Sequence, residues 1–288
     1  MVGKVGRYIV SKLEYIKNQL FWNLDYRRIR KTNEGCINNK CNKFDFNKIL
    51  IVVPHADDEL LGCYKMMKKY NKRIKLFYCG LVGSDNSSVN KERRLKEFIK
   101  VCEFFNVDYS ISEKDIKKDL CQEIAKYSPE LVILPNYLDW HTEHRAVHHL
   151  LYPILDLHKN RIENIGYYKI STPLSISQIN YAFSLTKSDL EDKKGIFLKY
   201  YESQKHMPLQ RFFYEDRAYG GLCNSYAAEV YCIYDIHTWK KRIEYFGKEN
   251  TLKELELSKL KEVINKLFVK WKLIERFEAK IKEDLDEK

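Results

Sequence analysis

Pro54-His55-Ala56-Asp57-Asp58-Glu59 sets one histidine and three acids side by side, directly after the apolar run Ile49 to Val53. Carboxylates this close repel one another and resist desolvation, so at the end of a buried strand they need a cation. A histidine three residues before an aspartate can offer that cation one nitrogen and one oxygen, and zinc is the first choice for such donors. The remaining acid, Asp57, would then lie beside the metal, where a general base for a bound water belongs. The competing reading is a helix start, with Asp57 or Asp58 as the N-cap and Glu59 facing the helix dipole.

A second cluster weighs against capping. Leu131-Val132-Ile133-Leu134-Pro135 is again apolar, and Tyr137-Leu138-Asp139-Trp140-His141-Thr142-Glu143-His144-Arg145 follows it. His141 and His144 are three apart, so one helical turn, or a tight loop entering one, points both into the same space. Three protein donors plus a water make an open, catalytic zinc site, whereas four make a closed structural one, and the surplus of polar groups favours the open form. Both clusters sit just past the carboxyl end of an apolar run, which favours a shared metal site.

These residues resemble the LmbE-like, or PIG-L, zinc-dependent N-deacetylases. The family's first motif, usually His-Pro-Asp-Asp-Glu or His-Ala-Asp-Asp-Glu, stands here as His55 to Glu59, and its second, usually His-Pro-Asp-His then Arg, as His141 to Arg145. Arg94-Leu95-Lys96-Glu97 with Phe104-Phe105-Asn106-Val107 is similar to its Arg-x-x-Glu helix and following Leu-Gly-Val. Lys194 with Tyr200-Tyr201-Glu202-Ser203-Gln204 resembles its late Lys and Tyr-x-Ser-Gln segment, and Ala228-Glu229-Val230-Tyr231 its closing Ala-Glu strand. Glu143 stands where the family usually has Asp, Thr142 where it often has Pro, and Asn106 where it usually has Gly; Asn tolerates a left-handed backbone.

The resemblance implies His55, Asp58 and His144 as ligands to Zn2+, Asp57 as general base and His141 as the group that steadies the oxyanion. Glu59 and Glu143 are read as supporting groups, Gln204 as a substrate contact, and Arg94 as a sugar or phosphate contact or else a solvated helix residue. The implied activity is a zinc-dependent hydrolase that removes the N-acetyl group from an N-acetylated sugar or sugar conjugate, releasing acetate and a free amine. The alternative is a non-catalytic metal-binding scaffold of the same fold, against which the complete donor set and Asp57 argue.

The elements that must position these groups read as α/β. Strand-like runs at Lys48 to Val53, Arg73 to Cys79, Val107 to Ile111 and Leu131 to Leu134 alternate with helical spacing at Leu60 to Tyr70 and Lys91 to Phe105. An open, mostly parallel Rossmann-like sheet of 3-2-1-4-5 type places its first and fourth strands around the ligand crevice, and those strands carry the two motifs. No Gly-x-Gly-x-x-Gly follows the first strand, which weakens the dinucleotide reading. Asn164 to Ser171, Ser175 to Ser184 and Ala227 to Tyr234 read as added strands, with a helix between Ser188 and Ser203. His206 to Leu222 mixes aromatics and arginines without clear periodicity and reads as a lid, a substrate wall or a surface loop.

Three segments are expected: a basic amphipathic extension over 1–45, the deacetylase-like domain over 46–240 and a charged helical segment over 241–288. Lys and Arg number 51 against 40 Asp and Glu, a net +11, and residues 1–50 hold 11 basic and 4 acidic groups. Val5, Tyr8, Ile9, Leu13, Ile16, Leu20, Phe21 and Leu24 follow helical spacing with Arg7, Lys12 and Lys17 between them, and Arg27-Arg28-Ile29-Arg30-Lys31 follows. Such a stripe more often packs on its own protein than on an anionic membrane. Leu257, Leu260, Ile264, Leu267, Trp271 and Ile274 form a C-terminal stripe, expected to dock on the domain, with a homodimer as the other reading. The basic and aromatic content forms no nucleic-acid-binding motif. The charges exclude a membrane-spanning helix and no secretory signal is present, so the expected location is cytoplasmic, with peripheral membrane association as the variant. Cys36 and Cys41 lack a second pair at zinc-finger spacing, and Cys63, Cys79, Cys102, Cys121, Cys223 and Cys232 stand singly, which suits reduced thiols. His148, His149 and His158 are expected to be structural or exposed.

Overall fold

The computed structural model describes residues 4–34, 44–83, 87–157, 162–248, 257–263 and 265–286. Cys36, Cys41, His158 and Ile264 lie outside them, as do the side chains of Val5, Arg7, Tyr8 and Ile9. Seven strands form one sheet: β1 (Ile49–Val53), β2 (Ile74–Tyr78), β3 (Asp108–Ile111), β4 (Leu131–Pro135), β5 (Asn164–Tyr168), β6 (Tyr181–Leu185) and β7 (Ala227–Asp235). Their order is β3-β2-β1-β4-β5-β7-β6; the first five are parallel, and β7 runs antiparallel to both β5 and β6. This is the expected 3-2-1-4-5 arrangement with added strands. Every residue of β1 is fully buried, Leu50 and Val52 in one apolar core and Ile49, Ile51 and Val53 in the other, so a continuous apolar run is what a doubly covered parallel strand requires.

The covering helices are α1 (Lys4–Glu34), α2 (Asp58–Tyr70), α3 (Ser88–Phe105), α4 (Ile116–Tyr127), α5 (Thr142–Leu157), α6 (Lys187–Tyr200), α7 (Leu209–Tyr219) and α8 (Ile236–Gly247), followed by a C-terminal helix, Leu267–Asp284. Ser87 caps α3 by accepting from Asn90 N, and Asn106 ends it in the left-handed region at φ 52°. Thr186 and Asp189 form a reciprocal capping box at the start of α6. By contrast, Asp57 precedes α2 without a side-chain capping bond, so the helix-cap reading of the first motif is not what its acids do.

Three expectations need correction. Helix α1 does pack on the protein, but through Trp22, Tyr26, Ile29 and Asn33, which meet α7 and the C-terminal segment. Tyr26 stacks on Tyr214 at 5.3 Å, Trp22 Nε1 donates to Asn265 O at 3.0 Å and Asn33 Nδ2 to Ala218 O at 2.9 Å. Leu13, Ile16, Leu20, Phe21 and Leu24 remain 50–62% exposed. Periodicity sorts side chains into faces, and here there are two apolar faces; the one with polar handles as well as rings is buried. Second, Leu209–Tyr219 is a helix: Leu209, Phe212, Phe213 and Tyr219 are buried at helical spacing, and the buried Arg211, Glu215 and Asp216 between them hide the period. Third, β6 begins only at Tyr181, because Gln178 N and Ile179 N turn back onto Ser175 O. The C-terminal helix docks as expected, burying Leu267, Trp271, Ile274, Phe277 and Ile281 and pairing Glu278 with Arg242 at 2.6 Å.

Candidate metal centre

Strands β1 and β4 are neighbours, with Ile49 opposite Leu131 and Ile51 opposite Ile133, so the loops that follow them open at the same edge of the sheet. There His55 Nδ1, Asp58 Oδ2 and His144 Nε2 converge: 3.2 Å from His55 to Asp58, 3.0 Å between the imidazoles and 3.4 Å from His144 to Asp58. Two ring nitrogens at 3.0 Å repel unless a proton or cation lies between them. Donors about 2.0–2.1 Å from a tetrahedral metal are roughly 3.3 Å apart, so these three fit one face of such a centre. His141 joins the group more loosely, the three histidines offering ligand atoms within 4.8 Å of one another.

Each of these two imidazoles has a carboxylate near its other nitrogen. Glu143 Oε2 lies 2.6 Å from His55 Nε2, and Asp139 Oδ2 lies 3.1 Å from His144 Nδ1. A proton on those outer nitrogens leaves Nδ1 of His55 and Nε2 of His144 free to bind a metal. Asp139 is the residue that motif reasoning missed. It is fully buried and also accepts from His141 N and Ser171 N, fixing the turn that aims both histidines. The only signal was an acid two residues before His141.

Asp57 lies next to this centre with φ 121°, a conformation that costs an L residue about 1–3 kcal/mol and that recurs at functional sites. It is held by Asp57 N donating to Glu59 Oε2 and by Leu61 N donating to Asp57 O. Glu59, fully buried, also accepts from the Tyr201 hydroxyl, so it braces the turn. Burial pushes the Asp57 carboxyl up to about 7; the Asp58 charge adds to the rise and Arg94, 3.6 Å away, opposes it. For Asp58 burial works against the charge too, but His144 and His55 outweigh it and hold the group well below the usual carboxylate range. Burial, with His144 and His55 nearby, lowers His141 to about 4, leaving it neutral with a ring N–H to donate.

Residues 50–155, which hold both strand ends, match the family model described as PIG-L, GlcNAc-PI de-N-acetylase. That segment is a PIG-L domain. Among solved structures similar to the chain are N,N'-diacetylchitobiose deacetylase from Pyrococcus horikoshii complexed with its inhibitor MPG, and the A40926 pseudoaglycone deacetylase Dbv21. The first shares 19% identity at a TM-score of 0.53, covering 72% of this chain and 90% of its own. The second shares 14% at 0.50, covering 66% and 98%. At such identities the likeness establishes the fold. No curated protein matches the chain.

The later segments brace the PIG-L domain. Glu97 accepts from Ser203 N and Oγ, and Gln204, with its amide oxygen turned inward, accepts from Arg94 Nε at 2.9 Å. Arg94 in turn donates to Ala56 O at 3.2 Å. Helix α2 breaks at Cys63, and the freed peptide groups find partners from far along the chain: Lys193 Nζ on Leu61 O, Tyr231 on Gly62 O, and Glu229 on the N–H groups of Lys65 and Met66. The buried lysine is therefore Lys193, one position before the Lys194 named from the resemblance, which is only half-buried. Gly62 is required, because a Cβ there would lie 2.3 Å from the Tyr168 ring. His148, as expected, is structural, bonded to Pro135 O at 2.7 Å. Cys63, Cys79, Cys102 and Cys232 are buried thiols.

A cleft of ≈ 520 Å³ opens over the centre. His55, Asp57, Asp58, Arg94, His141, His144 and Gln204 line it together with Arg211 and Phe212 of α7, so seven of the nine expected site residues meet in one place, and Glu59 and Glu143 lie outside its lining.

Proposed function

We propose that this protein is a zinc-dependent N-deacetylase that hydrolyses the acetamide of an N-acetylated sugar or sugar conjugate. The observation that carries this reading is the convergence of His55 Nδ1, Asp58 Oδ2 and His144 Nε2 within 3.4 Å, beside a strained, buried Asp57, in a cleft large enough for a sugar. Both similar structures named above are deacetylases, one of them acting on N,N'-diacetylchitobiose.

Zinc held by these three donors would act as a Lewis acid and lower the pKa of water. Asp57 takes the proton of the attacking water and, once protonated, passes it to the departing amine as the C–N bond breaks. Neutral His141 donates its N–H to the carbonyl oxygen as that atom gains charge. Arg94, 3.6 Å from Asp57, holds that carboxylate and, with Gln204, offers donors to sugar hydroxyls. Glu59 and Glu143 act at one remove, the first on the turn of Asp57, the second on the His55 ring. The test is metal analysis of the purified chain followed by acetate release from a panel of N-acetylated sugars. Stoichiometric zinc with acetate release supports the reading; zinc without turnover on any of them supports the scaffold alternative.

No helix among the described residues is long and apolar enough to cross a membrane. The outward stripe Leu13, Ile16, Leu20 and Leu24 is flanked by Lys12, Lys17, Arg27, Arg28 and Lys31, a pattern suited to lying on an anionic lipid surface. Sedimentation with phosphatidylglycerol vesicles, against phosphatidylcholine vesicles as control, tests this peripheral contact, and loss of binding in Leu20→Glu is the expected result. A homodimer through the C-terminal helix has less support, since the apolar stripe it would use is buried within the chain.

A further inference from the structure

Arg211, in the first turn of α7, is 3% exposed, yet its Nε and Nη1 are closed off from solvent with no hydrogen-bond partner. An unpaired buried guanidinium is costly, and proteins ordinarily supply it with an anion. The nearby acids are already engaged. Glu215 lies 2.5 Å from Lys270 and 3.4 Å from Lys169; Asp216 lies 3.0 Å from Lys169 and 2.8 Å from Lys193. Asp139 serves His144 and the backbone of His141 and Ser171. Lys169, Lys193 and Lys270 thus occupy the two carboxylates of α7, and the Arg211 guanidinium is left at the cleft without an ion pair among the described residues. The Phe212 ring, 4.6 Å from the guanidinium, answers only part of it. Arg211 lines the same cleft as Asp57 and His144.

We infer that Arg211 forms an anion subsite of this cleft, so that the preferred ligand carries a phosphate or carboxylate group besides its acetamide. That the ligand is an acetylated sugar rests on the deacetylase reading; the anion subsite does not.

The test uses the full chain loaded with zinc, and measures binding by calorimetry for N-acetylglucosamine, N-acetylglucosamine 1-phosphate and N-acetylmuramic acid. The native chain should bind at least one of the two anionic sugars about tenfold or more tightly than the neutral one. Which of them gains more identifies phosphate or carboxylate as the anion. Arg211→Met should abolish the preference without lowering Tm, because it removes an unpaired charge. Arg211→Lys should keep part of it, having the charge but not the two-pronged geometry. Equal binding of all three sugars by the native chain, or an unchanged preference in Arg211→Met, would overturn the subsite. Acetate release is scored separately: an Arg211-dependent preference with no acetate sinks only the deacetylase reading, and acetate with no preference sinks only the subsite.

Discussion

After β1, the side chains of His55, Asp57, Asp58 and Glu59 are nearly closed off from solvent, and Asp57 carries a positive φ; after β4, the side chains of His141 and Glu143 keep 27% and 28% of their surface exposed. Asp139, two residues before His141, is nevertheless fully buried. The β1 end is thus a rigid seat for two of the proposed ligands and the proposed base, while the β4 end combines the buried Asp139–His144 pair with two groups that can respond to what enters the cleft. A centre built this way would grip a metal from both strand ends and leave the adaptability to His141 and Glu143.

The sharpest test of the rigid side is Asp57→Asn, which should keep its zinc and lose about 10²–10⁴-fold in kcat, measured by acetate release with parallel metal analysis. Loss of zinc in that variant would mean that Asp57, not its neighbour, is a ligand. On the other side, Asp139→Asn should weaken zinc binding about 10–100-fold in a chelator competition. Glu143→Gln should weaken it less, because water can reach His55 in its place; if the two variants lose affinity equally, the contrast between buried anchor and adaptable group fails. Gly62→Ala drives a methyl into the Tyr168 ring and should cost about 1–3 kcal/mol in denaturant unfolding. Glu143→Asp, which installs the acid usual in the family, should have the smallest effect, a few-fold change in kcat/KM, since it shortens the reach to His55 Nε2 by one methylene.

Where a pattern depends only on local chemistry, the chain can be read directly. The apolar runs of β1 and β4, the helical spacing of α2 and α3 and the left-handed Asn106 are of this kind, and so is the pairing of His-x-x-Asp with His-x-x-His at two strand ends. What could not be read depends on which distant group answers a local need. Asp139 looks like any loop acid until the His144 ring is placed against it. Lys193 and Lys194 are adjacent lysines, distinguished only by which one faces Leu61. Trp22 and Leu20 are both apolar on one helix, and only the position of α7 decides which is buried. In α7 itself, three buried charges interrupt the apolar rhythm that would have marked a helix.

The interruption of α2 at Cys63 has a consequence for biosynthesis. Four peptide groups between Leu61 and Met66 are satisfied by Lys193, Glu229 and Tyr231, and the Glu229 carboxylate comes 164 residues after Lys65. While the chain is still on the ribosome, residues 50–155 can emerge complete with every proposed ligand and yet leave those groups to water. Competence to hold the metal firmly should therefore arrive late, when β7 inserts between β5 and β6, so that an interrupted or clipped chain carries the motifs without the centre.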